Sequence, residues 1–474
     1  MPDRYSPILD AIGANSPTAT PEKPAGPAPM MRLVRDSIVS PSGLSFDEGA
    51  YGTAINGQPF QQEAVTTFKG FQYAAYYDAR GRTAVARRAL PDGDWQCVVF
   101  EDYGPITHTD IHNVIVLGIC PLDGTIHLAY DHHCDELHYR RSRTGAASEP
   151  QSHEWTADLF GETTSQLVTG RTIPGVTYPQ FFTAPNGHLQ LALRIGCSGD
   201  GDWDLYEYAP EGWSRIGSLF TRNGTFLGRF SRCAYPNSFR YGPEGRLHCT
   251  WVWREEGTDI NGNHDLCYIH SDNHGRTWKN NDGKIVGRLN GQSRSNGAVG
   301  VASPGIVVHP IPYDWGCMNT STQAIDPKGR VHVVMWRNPS DAKAGSLDLN
   351  DFRYYHYWRE NDGTWHEQLL PFYGRKPQIV LDDASNLIVV FGRSEERNYH
   401  DSDPGSHLTL AAASCASGWT DWRLTERISS ARFIGEPLVD YIRWEKERVL
   451  SVYFQEMPAI AGDDAPLHVL DFVA

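Results

Sequence analysis

The chain has 474 residues, with 42 Lys and Arg against 57 Asp and Glu, for a formal charge of −15. Hydrophobic residues at 40% and aromatic residues at 11% make a core-forming composition, which excludes wholesale disorder. The acidic balance argues against nucleic acid as a main partner, and no run approaches the ~18 apolar residues of a membrane span.

Residues 1–30 are rich in Pro, Ala, Ser and Thr and carry no periodicity, so they are expected to form a disordered N-terminal arm. They show no basic segment followed by an apolar one, so no signal peptide is read. The expectation is cytoplasmic for a complete chain, and secreted or periplasmic for a trimmed one. The nine cysteines are scattered without a CxxC pair, which speaks for a reducing compartment over a disulfide framework.

From there one unit recurs: a turn residue, an apolar strand, a short polar loop and a second strand. The first strand appears as GFQYAAYYD from Gly70, GTIHLAYDHH from Gly124, GHLQLALRI from Gly187 and GRLHCTWVW from Gly245. It returns as GRVHVVMW from Gly329, NLIVVFGR from Asn386 and ERVLSVYFQE from Glu447. A strand pair repeating at roughly 60 residues, with almost no helical period, predicts an all-β chain: a seven-bladed β-propeller, single domain, over 31–474. Its last blade is expected to be completed by the segment near Arg32 to Ser40. SDNHGRTW, Ser271 to Trp278, reads as a blade turn in which Ser and Asn side chains bond the backbone, Gly275 opens the dihedral and Trp278 packs between sheets. The Gly-, Ser- and Asn-rich stretch at 279–320 reads equally as a flap over the central mouth or as a surface loop.

Several apolar strands begin or end in ionisable groups that need a partner or water. They are His112 at a strand entry, His132 and His133 at a strand exit, Tyr178 before a strand, Arg194 at the end of the next, and Arg232, Tyr235 and Arg240 one blade on. Spread over adjacent blades, such groups converge at a central channel. Two His, two Tyr and one or two Arg suit β-elimination at a uronic acid. Cations neutralise the carboxylate beside the acidic carbon, and Tyr or His move protons. Paired carboxylates, the tools of glycoside hydrolysis, are not needed.

TYPQFF, RIGCSGDGDWDLYEY and WREEGTDINGNHDLCYIHSDNHGRTW resemble the BNR-type repeat region of seven-bladed polysaccharide lyases, the ulvan lyases and the L-rhamnose-α-1,4-D-glucuronate lyases acting on gum arabic and arabinogalactan. The resemblance covers roughly 50–470 and is firmest over 105–280. It implies a lyase cleaving a rhamnosyl-(1→4)-glucuronate linkage in an oligo- or polysaccharide. His112 and Tyr178 would share base and acid duties, and Arg194, His132 and Tyr235 would hold the carboxylate. His133 is an alternative to His132, which spacing does not separate, and Arg232 is a further candidate. No cofactor is expected for catalysis.

Cys249, His264, Cys267 and His332 are read as a weaker candidate for a structural metal, zinc or calcium, against plain core cysteines. Competing functions are an α-L-rhamnosidase of the same propeller group, a sialidase, and a non-enzymatic carbohydrate-binding propeller. The sialidase reading fares poorly with one degenerate blade turn.

Overall fold

The computed structural model describes residues 28–47, 52–291, 298–339, 348–393, 406–425, 428 and 432–474. Most of the expected arm, 1–27, lies outside them. Ala28 is already buried in a hydrophobic cluster, so the packed chain starts before residue 31.

The described chain is nearly all β, in antiparallel sets laid down in chain order. Val65–Phe68, Phe71–Tyr77, Thr83–Ala89 and Gln96–Val99 make the first set. Ile115–Ile119, Ile126–Tyr130 and Tyr139–Arg141 make the next. The sets led by Val176–Thr183 and Arg229–Tyr241 are joined into one larger sheet by a parallel bridge, Gly201 to Cys233. Thr322–Ile325 and Gln378–Leu381 each lead a four-stranded set. The last set runs Phe433–Val439, Leu450–Glu456, Ala465–Val473, and its fourth strand is the N-terminal Arg32–Gly43, with Arg32 opposite Val473. The leading strands of neighbouring sets touch one another. Asp440 ties the last set to the first: it caps the short helix Tyr441–Glu447 and accepts from Thr67 (2.6 Å) and Gln72 (2.9 Å).

Strands such as Leu387–Arg393 are buried along almost their whole length. Both faces of each set pack on a neighbour, so these strands run as continuous apolar stretches rather than alternating with polar residues. The connecting hairpins share one device. Asp78 accepts from the backbone N–H of Arg80 and Arg82, Asp326 from Lys328 and Arg330, and Asp382 from Ala384 and Asn386.

The Ser271–Trp278 turn is built as its residues predict. The Ser271 hydroxyl accepts from Gly275 N–H (2.9 Å), Asn273 Oδ1 accepts from Thr277 N–H (2.8 Å), and the buried Trp278 indole donates to Gly275 O (2.8 Å). Gly275 sits at φ +81°, where a side chain is strained. The described part of 279–320 pairs into the sheets: Ile285–Arg288 with Thr277–Lys279, Val307–His309 with Asn263–Ser271, and Val299 with Phe220. No helix among the described residues is long and apolar enough to cross a membrane.

Candidate active site

Ahead of or within each leading strand stand Gln58, His112, Tyr178, Tyr235, Asn319, Lys376 and Glu436, and five of them precede a proline. Proline has no N–H to give the ladder. Pairing registers slip between Thr177 and Gln180, Pro236 and Ser238, and Ile434 and Leu438. Bulges of this kind re-aim a side chain out of the sheet. Tyr178 adopts φ +54°, a left-handed conformation rare for a non-glycine residue. The result is a cavity of about 360 Å³ lined by Gln58, His112, Tyr178, Asn319, Lys376 and Glu436, with Arg254 and Arg375 adding positive charge. Burial pushes the Lys376 ammonium down to about 8, with Glu436 opposing.

On one side of this cavity the rings form a continuous cluster. His112 stacks on Phe60 (centroids 5.2 Å apart) and on His133 (4.2 Å). Tyr178 lies 5.9 Å from His112 and 5.9 Å from Tyr235. The Arg194 guanidinium sits 4.6 Å over the Tyr178 ring, and its Nη1 donates to the Tyr235 hydroxyl at 3.3 Å. Arg254 approaches the same hydroxyl from the other side at 3.3 Å, with Ser198 Oγ at 3.1 Å. Asp110 joins the two imidazoles: its Oδ1 faces His112 Nδ1 at 2.6 Å and its Oδ2 faces His133 Nδ1 at 2.5 Å.

The electrostatics follow from burial. Desolvation holds the His112 imidazole below its ordinary value, Asp110 opposes this, and His133 adds to the depression. Burial, then the neighbouring Tyr235, push the Tyr178 phenol well up, with Arg194 opposing. Burial would also raise Asp110, but hydrogen bonds from both imidazoles outweigh it and hold the carboxylate far below the usual range.

His112, Tyr178, Arg194 and Tyr235 therefore come together as expected, with Arg194 fully buried behind the two phenols. His132 does not join them. Asp131 takes φ +58°, and successive residues then point to opposite sides. His133 meets His112, while His132 turns into the core, where its Nε2 accepts from His138 N–H at 2.7 Å. Arg232 is also misplaced as a site residue. It is fully buried, paired with Glu255 (2.8 Å) and bonded to the carbonyls of Arg222 and Gly224. Arg240 lies over the Tyr441 ring at 3.6 Å, away from this cluster.

The metal candidates do not assemble. Cys249 pairs in register with Ile269, and Cys267 with Trp251, so the two thiols are offset. His264 bonds Glu255 (3.2 Å) and Asp265 (3.1 Å), and His332 bonds His356 (3.0 Å). Among the described residues one trio, Asp110, His112 and His133, puts three donor atoms within 4.8 Å of one another. Its N–O separations of 2.5 and 2.6 Å are those of N–H···O bonds, and the trio is a hydrogen-bonded unit.

Asp110, Arg254 and Lys376 were not singled out in the sequence. For Lys376 the available signal was the residue before proline recurring from set to set; Asp110 and Arg254 precede no proline.

The chain is 25% identical over 299 residues to the long isoform of ulvan lyase from Pseudoalteromonas sp. (strain PLSV), covering 51% of this chain and 29% of that protein. It is 27% identical over 212 residues to a short isoform from Alteromonas sp. (strain LOR), covering 36% of this chain and 40% of that one. The match thus spans about a third of the length of these curated relatives. Among solved structures, the polysaccharide lyase Uly1 superposes with a TM-score of 0.70 at 19% identity, over 93% of this chain and 99% of that one. A PL25 ulvan lyase bound to -[GlcA(1-4)Rha3S]- superposes at 0.64 and 14% identity, over 92% and 95%. These two structures share the fold. A family model for BNR repeat-containing family members matches residues 71–371, well over half of the sequence, and the chain belongs to the BNR repeat-containing family.

Proposed function

We propose that the strand sets form one domain, a seven-bladed propeller, and that its cavity catalyses β-elimination at the glucuronate of a rhamnosyl-(1→4)-glucuronate linkage. Ulvan-type chains and gum arabic side chains are the substrate classes. The observation that carries the reading is the cluster of His133, His112, Tyr178 and Tyr235 with two guanidiniums, which reaches a cationic cavity through His112, Tyr178 and Arg254. Similarity to ulvan lyases supports it.

In this reaction the C5 proton leaves, a C4=C5 double bond forms, the C4–O bond breaks, and the departing rhamnosyl-side oxygen or sugar hydroxyl takes up a proton. The C5 proton is far too weakly acidic unless the adjacent carboxylate is neutralised. Arg254 meets that carboxylate at the cavity wall, Tyr235 donates to it, and Arg194 adds its charge from behind the phenols. Charge that grows toward the enolate is stabilised by these fixed donors. His112, held neutral by burial, accepts the proton. Tyr178, held protonated by burial, donates one to the leaving oxygen. No step calls for a metal ion.

The test is ultraviolet absorbance of the unsaturated uronate product on ulvan and gum arabic oligosaccharides with a chelator present. Release of saturated rhamnose without absorbance moves the protein to the hydrolase class.

A further inference from the structure

The carboxylate of Asp110 reaches two imidazoles at once, which a general structural role does not require. It precedes His112 by two residues and also accepts from the His112 backbone N–H at 3.0 Å. Its oxygens face His112 Nδ1 and His133 Nδ1 at 2.6 and 2.5 Å, and the two rings stack at 4.2 Å with 20° between their planes. A carboxylate offers only acceptors, so each Nδ1 facing it must carry a proton. A neutral imidazole protonated at Nδ1 has its lone pair at Nε2, on the opposite side of the ring from Asp110.

We propose that Asp110 is a positioning residue that fixes His112 and His133 in the same Nδ1–H tautomer and presents both Nε2 atoms toward the reacting sugar; the catalytic half of this proposal rests on the elimination reading above. Around His112 the facing groups are Asp110 and His133, Tyr178 from Val176–Thr183, and Arg194 from Leu189–Cys197. Of these, only Asp110 favours a cationic ring. Its removal moves the histidine titration to lower pH, whichever limb of the rate profile that titration controls.

The experiment pairs nitrogen NMR of histidine-labelled full-length protein with kinetics, both with a chelator present. In the parent, both imidazoles should report protonated Nδ1 at neutral pH. Asp110→Asn keeps the shape but offers one carbonyl and one NH₂, so one imidazole must move its proton to Nε2. With that change, kcat should fall by about 10²–10⁴-fold while KM stays within about threefold, and the histidine limb of kcat/KM should shift down in pH. Asp110→Glu, which keeps the charge, should recover at least about tenfold of the loss. A parent protein with Nε2–H on either ring overturns the proposal. So does an Asp110→Asn protein with unchanged tautomers, or with parental rate and pH profile. If the parent shows no elimination at all, the NMR arm still decides the tautomer role, while the lyase reading alone falls. If Asp110→Asn fails to fold, the parent spectra and Asp110→Glu decide.

Discussion

Replacing Tyr178 by Phe separates chemistry from packing at the centre of the cluster. The ring is 4% exposed and touches Phe60 (5.3 Å), His112 (5.9 Å), Tyr235 (5.9 Å) and the Arg194 guanidinium (4.6 Å). Phenylalanine keeps all four contacts and the same left-handed backbone, and removes only the hydroxyl. The stability change should stay below about 1 kcal/mol, the scale of one hydrogen bond. A lost acid–base group costs about 10²–10⁴-fold in turnover, which is about 3–5.5 kcal/mol of barrier. Tyr178→Ala is the contrasting control, because deleting a buried aromatic costs about 3–5 kcal/mol of stability and lets the cluster collapse. The assay is initial-rate absorbance of the unsaturated product, with a urea midpoint for each variant. Turnover of Tyr178→Phe within about threefold of the parent would remove Tyr178 from proton transfer.

Arg254→Met should lower kcat/KM by about 10²–10³-fold, and Arg254→Lys should restore only part, because an ammonium lacks the flat fork that meets a carboxylate. Equal rates for the two variants would contradict direct contact. Arg232→Met should destabilise by about 3–5 kcal/mol in urea unfolding by leaving Glu255 buried without its main partner, with parental turnover per folded molecule. A normal urea midpoint would refute the structural assignment. His127, fully buried between Thr125 (2.7 Å) and Tyr139 (2.6 Å), is pushed down to about 3 by burial first and by Arg141, with Asp123 opposing. Its folded value is depressed, so between the ordinary histidine range and pH 3 the unfolded chain binds a proton that the folded chain refuses. Stability should therefore fall as pH drops through this window, and His127→Gln should flatten the slope in urea midpoints taken across it.

Much of the architecture was legible because strand pairs repeat with a turn chemistry that the sequence spells out. The Ser271–Trp278 turn and the pairing of Arg32–Gly43 with the C-terminal strand follow directly from local residue types and repeat position. The choice between His132 and His133 was not legible, since it depends on the left-handed turn at Asp131, which no spacing rule reveals. Arg232 misled because a charge at a strand entry looks alike whether it meets substrate or a buried Glu255. Cys249, His264, Cys267 and His332 misled because closeness in sequence ignores register, which sets the two thiols opposite different residues. Arg254 and Lys376 reach the cavity from sets distant in the chain, and only the recurrence of a residue before proline connects Lys376 with Tyr178 and Glu436.

The most direct measurement is the mass of the products formed from a defined rhamnosyl-glucuronate oligosaccharide in heavy-oxygen water. Elimination predicts a fragment lighter by one water than its hydrolytic counterpart, ending in an unsaturated uronate, with no heavy oxygen in either product. Saturated fragments, one of them carrying heavy oxygen, would contradict the account.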